Sequence, residues 1–410
     1  MPLIKTAKQV HEDSLKINDD FVSKVNLKFQ ECIEKMQYVP LGPEYKNFDF
    51  AQAESNLQLH RARKKFEVPN DSLSSDRKDA TLNKVVEYDT LGITDFNPAI
   101  LDLNPYVRRQ LYHIRKRLNE VLSHYRFSVS KLEFPSGETY VSASGDISLY
   151  AKLRDRSQLT CTKSAFETFA RIAYNTPMLK YAMRRHIRMW QFETGKRFDY
   201  RRMWKHANEL APKKASFLVF KAQLECVVTF VNDARLTTVP KDNSSDRVIE
   251  CEAFCNMICQ RAIGCCIRDL IEEQFGVDLE TSQTLHKLLI KDPDNATIDL
   301  SNASNSVWFS VVEWFMGGTK LFKYLVDTRC GTVSIGSERV KLNMLSPMGN
   351  GFTFEVMTLL LLTITREYDS MSHVYGDDII VDTDVAQDVI DLLSVIGFKT
   401  NDTKTFTSGN

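Results

Sequence analysis

The chain has 410 residues, long enough for two or three substructures rather than one core. Its 43% hydrophobic and 26% charged residues describe a globular protein, and 53 Lys+Arg against 53 Asp+Glu exclude a uniformly basic nucleic-acid binder while leaving local patches open. The longest strongly apolar run, residues 357–364, is far too short to span a bilayer, and the N-terminal "MPLIKTAKQVHEDS" turns polar too soon for a signal peptide.

Residues 1–60 read as polar and helical, and a basic, turn-rich stretch follows at 60–79, "HRARKKFEVPNDSLSSDRKD". Between Lys180 and Lys214 there are eleven Lys/Arg against three Asp/Glu, with aromatics interleaved in "RRHIRMWQFETGKRFDYRRMWK". That mixture suits either a phosphate backbone with stacked bases or a solvated pair of amphipathic helices. "TVPKDNSSDRVIE" places Lys241 and Arg247 in an expected loop ahead of a helical segment. There they either clamp a triphosphate or pair with Asp242 and Asp246 as surface ions. Cys251, Cys255 and Cys259 fall at i, i+4 spacing with Cys265 and Cys266 beyond. Without a CxxC pair this favours buried thiols over a zinc site.

The last third is the most regular. "NATIDL" (295–300) predicts a buried strand ending near Asp299, and "NSVWFSVVEWFM" a helix with Trp308, Val311, Val312 and Phe315 on one face. "SPMGNGFTFEVMTLLLLTI" predicts a Gly-rich loop feeding a buried helix. "HVYGDDIIVD" (373–382) predicts a hairpin turning at Gly376 with Asp377 and Asp378 at its tip. "DVAQDVIDLLSVIG" predicts a helix capped by Asp384 and stopped at Gly397, and "FKTNDTKTF" a final strand. Strand, helix, hairpin, helix, strand is an α+β arrangement with helices on one face of a small antiparallel sheet.

In that topology Asp299 and the Asp377–Asp378 tip lie at the top of neighbouring strands. Adjacent carboxylates repel, so the pair is either a solvated turn or a divalent-cation site. Carboxylates from two strands can share two ions about 4 Å apart, which suits phosphoryl transfer.

The ordered set of segments resembles the replicase catalytic subunits of leviviruses, the small positive-strand RNA bacteriophages. "TVPKDNSSDRVIECEAFCNMICQRAIGCCIRDLI" resembles their nucleotide-binding finger loop, and "ATIDLSNASNSV" their first palm motif. "SPMGNGFTFEV" resembles their loop-helix motif, and "YGDDIIVD" with "IGFKTNDTKTF" their catalytic hairpin and its sequel. The specific part covers roughly residues 235–409, and 157–174 is similar more loosely. The resemblance implies an RNA-directed RNA polymerase with a right-hand architecture, fingers and palm present and the thumb largely missing. It implies an N-terminal and fingers region at 1–234, a nucleotide-entry loop and helix at 235–290, and a palm at 291–410.

By the same resemblance Asp299, Asp377 and Asp378 are catalytic and hold two Mg2+ ions, with Mn2+ a possible substitute. Lys241 and Arg247 contact the triphosphate. Ser346, Gly349, Asn350 and Thr353 position nucleotide sugar and template, and Lys404 is a possible general acid for pyrophosphate. The family's first palm motif usually carries a second Asp where this chain has Asn305. Asn305 and its neighbour Ser304 then either sense the ribose or cap a helix starting near Ser306. Implied partners are RNA template and product, ribonucleoside triphosphates, and host elongation factors Tu and Ts with a ribosomal protein. The implied location is the cytoplasm of the bacterial host. Reverse transcriptase is the nearest rival, against which Gly376 and "SPMGNG" speak. A non-catalytic RNA-binding protein on a polymerase scaffold is the other. The chain ends at Asn410, just after "KTFTSG", and the resemblance leads to the expectation of a truncated replicase.

Overall fold

The computed structural model describes residues 74–141, 148–242, 245–336 and 338–407. The expected helices of residues 1–60, and most of the basic stretch at 60–79, lie outside them. The chain divides into two compact units, one comprising Val85–Leu236 with Ile249–Asn410 and the other including Thr237–Val248.

Helix α1 (Ser74–Thr90) leads into α2 (Pro105–Ser123), where Asn104 accepts the Tyr106 N–H and proline opens the first turn. A helical layer follows: α3 (Leu149–Arg154), α4 (Phe166–Asn175), α5 (Pro177–Thr194), α6 (Tyr200–Leu210) and α7 (Ala215–Glu225). The parallel strand pair β1 (Thr160–Cys161) and β2 (Thr229–Phe230) brackets α4 to α7. The core of this layer joins Phe169, Ile172, Leu179, Met183 and Leu224 to the first turns of α8 (Phe254–Phe275). Helix α8 buries Cys255, Cys259, Cys265 and Cys266; burial pushes these thiols up from their usual range, so they behave as small apolar groups. That bears out the reading of buried thiols.

Strands β3 (Ala234–Asp242) and β4 (Ser245–Cys251) belong to a sheet of order β4-β3-β6-β7, with β6 (Thr332–Ile335) and β7 (Glu338–Lys341) forming an antiparallel pair. Lys241 and Arg247 therefore lie on strands, not in the expected loop. β-branched runs on both sides of the Asp-Asn turn signal, "TTV" and "RVI", favour extended pairing there.

The second sheet has the order β10-β5-β9-β8, antiparallel throughout. It uses β5 (Asn295–Ser301), β8 (His373–Tyr375), β9 (Asp378–Asp382) and β10 (Lys399–Thr400). Ala296, Ile298 and Leu300 are buried while the residues between them are half-exposed, the alternation of a sheet with one covered face. Helix α9 (Ser282–Leu289) precedes β5, and α10 (Phe309–Met316) and α11 (Lys320–Thr328) follow it. Helix α12 (Thr353–Thr365) is apolar on almost every side and is buried at all but one position; it packs on α8, α2 and β8. Helix α13 (Ala386–Val395) lies against β5 and β10 and stops before Gly397. Asp384 does not cap it: α13 has Val385 at its cap without a side-chain bond, and Asp382 instead caps the 3-10 turn Thr383–Val385 ahead of it by accepting the Asp384 N–H.

Candidate functional site

Strand register sets the geometry. Asp299 of β5 stands directly opposite Asp378 of β9, and Tyr375 of β8 is opposite Asp378 on its other side. Cross-strand partners share a face, so both carboxylates project on the face opposite Ile298, Ile379 and Val374. Asp377 occupies the turn between β8 and β9 beside Gly376. Gly376 takes φ +65°, and a Cβ there would stand 2.6 Å from the Phe354 ring. Only glycine meets both demands. The turn is tied down by its Gly376 N–H donating to Thr358 Oγ1 at 3.0 Å, and Phe354 meets Tyr375 edge-on at 4.9 Å. Helix α12 thus supports the hairpin from below through two residues one turn apart.

The charges are not left bare. Lys404 Nζ lies 3.2 Å from Asp299 Oδ2, and Asn401 Nδ2 donates to the same oxygen at 2.9 Å. Asp378 is held above the usual carboxylate range, first by burial, then by Asp377 and Asp299, with Lys404 pulling the other way. A like-charge environment of this kind is relieved by a cation. Among the described residues no group of three or more His, Cys, Asp or Glu side chains forms a ready cage for a metal ion. Magnesium fits the site nevertheless, since it commonly takes one or two carboxylates and completes its shell with water and substrate phosphate.

The loop ahead of α12 is built from inside. Ser346 and Thr353 are buried and share a 2.6 Å hydroxyl hydrogen bond. Asn350 Nδ2 donates to Glu252 at 2.7 Å, and Gly351 N–H donates to Gln260 Oε1 at 3.1 Å. Gly349 takes φ +108° with its α-carbon pressed on the Glu250 backbone, where a Cβ would lie 2.6 Å from the carbonyl oxygen. Burial lifts the Glu252 carboxyl to about 7, against the opposing effect of its Gln260 and Asn350 hydrogen bonds. Ser346, Asn350 and Thr353 therefore shape the loop through its interior.

Ser304 and Asn305 lie in a 3-10 turn, Ala303–Ser306, that opens from Asn302 in the left-handed region at φ +52°. The helix begins only at Phe309 with Trp308 at its cap and no side-chain cap bond, so Asn305 caps nothing. Tyr88 Oη instead meets Ser306 Oγ at 2.6 Å. Lys241 and Arg247 are exposed and fall in the unit that includes Thr237–Val248, whereas the carboxylates fall in the other.

Several contributors carried no separate sequence signal. Asn401 sits three residues before Lys404 in "NDTK" yet reaches the same carboxylate. Glu252, Asn256 and Gln260 recur at i, i+4 and i+8, a spacing visible in the sequence. Their role emerges only because that face meets the loop and the Thr328 carbonyl. His286 of α9 and His373 of β8 meet at 2.8 Å behind Tyr375; burial, with His373 beside it, lowers the His286 imidazole to about 4.

A family model described as RNA replicase, beta-chain matches residues 116–410. The RNA-directed RNA polymerase beta chain of Enterobacteria phage fr is 37% identical over 183 residues, covering 42% of this chain and 33% of that protein. The corresponding subunit of Enterobacteria phage SP is 36% identical over 226 residues, covering 50% and 39%. That of Escherichia phage MS2 is 35% identical over 182 residues, covering 42% and 33%. The chain thus spans between a third and two-fifths of the length of these curated relatives. A solved structure titled "RdRp complex" aligns at TM-score 0.39 and 12% identity, over 73% of this chain and 27% of that one. That score is too low to support a fold assignment.

Proposed function

The chain belongs to the RNA replicase beta-chain family, and from that premise we propose that it carries the nucleotidyl-transfer centre of an RNA-directed RNA polymerase that copies a viral RNA genome. The observation that carries the reading is the register placing Asp299 against Asp378, with Asp377 in the adjoining turn. On this reading the sheet of β10, β5, β9 and β8 is the palm, and the helical layer before it belongs to the fingers.

Asp299, Asp377 and Asp378 would hold two magnesium ions, with manganese as a substitute. When bound, these supply Lewis-acid activation of the attacking hydroxyl and neutralise charge on the leaving oxygen. The reaction is attack of the growing strand's 3′-hydroxyl on the α-phosphate of a ribonucleoside triphosphate, with release of pyrophosphate. Asn401 orients the Asp299 carboxylate. Lys404, beside the same carboxylate, is placed to give a proton to departing pyrophosphate. Lys241 and Arg247 bind the triphosphate, whose charge complements theirs. Ser304 and Asn305 face the sugar choice. Ser346, Gly349, Asn350 and Thr353 fix the loop on which template and nucleotide are aligned. Template pairing selects the base, and the protein supplies position. RNA and ribonucleoside triphosphates are the substrates. Elongation factors Tu and Ts and a ribosomal protein are the proposed host partners, in the cytoplasm of an infected bacterium.

The test is nucleotide incorporation on an RNA template with magnesium. Asp377→Asn removes a ligand charge and is expected to lower the rate by orders of magnitude with the fold unchanged. Near-normal turnover by that variant sinks the assignment of the hairpin.

A further inference from the structure

Helices α5 and α6 carry the basic, aromatic stretch for which the sequence left two readings open. On α5 the buried side is Leu179, Met183, His186 and Ile187. The opposite side presents Tyr181, Arg184, Arg185, Arg188 and Phe192, all exposed, at the i, i+3, i+4, i+7, i+11 spacing of one helical stripe. Phe192 is 91% exposed and Tyr181 68%, an uncommon state for aromatic rings. The stripe runs about 16 Å along the axis at 1.5 Å per residue. The joint to α6 is not part of the stripe: Phe198 stacks on Trp190 at 5.4 Å, and both rings pack against the core on the other side of α5.

The one acid in the α5 sequence is turned to other work. Glu193 pairs with Arg156, and Asp199 caps α6 by accepting the Arg202 N–H. Among the described residues, none of Arg184, Arg185 and Arg188 is in an ion pair with a carboxylate. A solvated amphipathic face accounts for the arginines alone. It leaves unexplained why apolar rings alternate with them on the side facing water.

We propose that the outer face of α5 is a binding track for single-stranded RNA, its phosphates held by Arg184, Arg185 and Arg188 and its bases stacked on Tyr181 and Phe192. Cationic side chains with interleaved open rings match a polyanion whose bases are unpaired; a duplex hides those faces. The track uses none of the residues assigned to nucleotidyl transfer and does not rest on that assignment.

Binding of a fluorescein-labelled twelve-residue uridine oligonucleotide to the full chain tests it, measured without nucleotides across a salt series, with a twelve-base-pair RNA duplex alongside. The triple variant Arg184→Ala/Arg185→Ala/Arg188→Ala is expected to reduce the slope of log K against log salt by about 2, at roughly 0.7 for each phosphate no longer neutralised. Phe192→Ala is expected to weaken single-strand binding roughly five- to a hundredfold and duplex binding far less. All four positions are exposed, so both variants should melt as the parent does. An unchanged slope in the triple variant overturns the phosphate contacts. Equal loss on single strand and duplex in Phe192→Ala overturns the stacking. Unaltered RNA binding by both variants overturns the track as a whole and leaves this face to a protein partner.

Discussion

Replacing Gly376 with alanine perturbs the hairpin in two separable ways. The position takes φ +65°, where a Cβ costs about 1–2 kcal/mol through its approach to the following carbonyl. The new methyl would also stand 2.6 Å and 3.0 Å from two carbons of the Phe354 ring. That ring must move, and in moving it gives up its edge-on packing with Tyr375 at 4.9 Å, worth about 0.5–1.5 kcal/mol. The sum is a loss of roughly 1.5–3.5 kcal/mol. Urea unfolding of the parent, Gly376→Ala, Phe354→Ala and the double variant forms a cycle that isolates the ring contribution. In the Phe354→Ala background the glycine substitution should cost only the backbone part, about 1–2 kcal/mol. Displacement of the turn also moves Asp377, and misplacement by about 1 Å is enough to slow a positioned reaction about a hundredfold. A total loss below about 0.5 kcal/mol would refute the strained-turn argument. Equal costs in the two backgrounds would refute the part assigned to Phe354.

Lys404→Ala should raise the Asp378 carboxyl further, because Lys404 is the group that lowers it. The acid limb of the incorporation profile should then move to higher pH, and an unmoved limb would separate Lys404 from the carboxylates. The His286 imidazole titrates near 4 when folded against about 6.5 unfolded, so the unfolded state takes up the proton first as pH falls. Stability contributed by neutral His286 is complete above about 6.5 and is lost between about 6.5 and 4. His286→Gln should flatten that part of a pH–stability curve, and an identical curve would remove His286 as its source. Glu252 runs the other way: with its carboxyl lifted to about 7, it penalises the folded state as pH rises from about 4.5 toward 7. Glu252→Gln should relieve that penalty above pH 7 while retaining an acceptor for Asn350, which parallel melts at pH 5 and pH 8 would read. Asn305→Ala should leave stability unchanged, since Asn305 caps no helix. If the ribose reading holds, the variant lowers the ratio of ribo- to deoxynucleotide incorporation; an unchanged ratio ends it.

Local chemistry was enough to place the elements that meet the sheet. The 3.6-residue spacing of Val311, Val312 and Phe315, the unbroken apolar run of α12 and the Gly-Asp turn at 376–377 each specify their conformation within a few residues. The sequence also singled out Asp299, Asp377 and Asp378, because carboxylates between apolar strand residues have no role in a core. It did not determine their register. A slip of one residue would turn Asp299 to the covered face, and only the pairing of β5 with β9 through five residues excludes it. Nor did it determine which helix begins where. The left-handed Asn302 and the 3-10 turn after it delay α10 to Phe309, and a 3-10 turn capped by Asp382 stands ahead of α13. The support behind the loop was equally hidden. Glu252 and Asn350 are 98 positions apart, and Asn401 and Asp299 are 102. Hydrogen bonds across such separations depend on where two elements are brought together, and spacing within either segment carries no trace of the other.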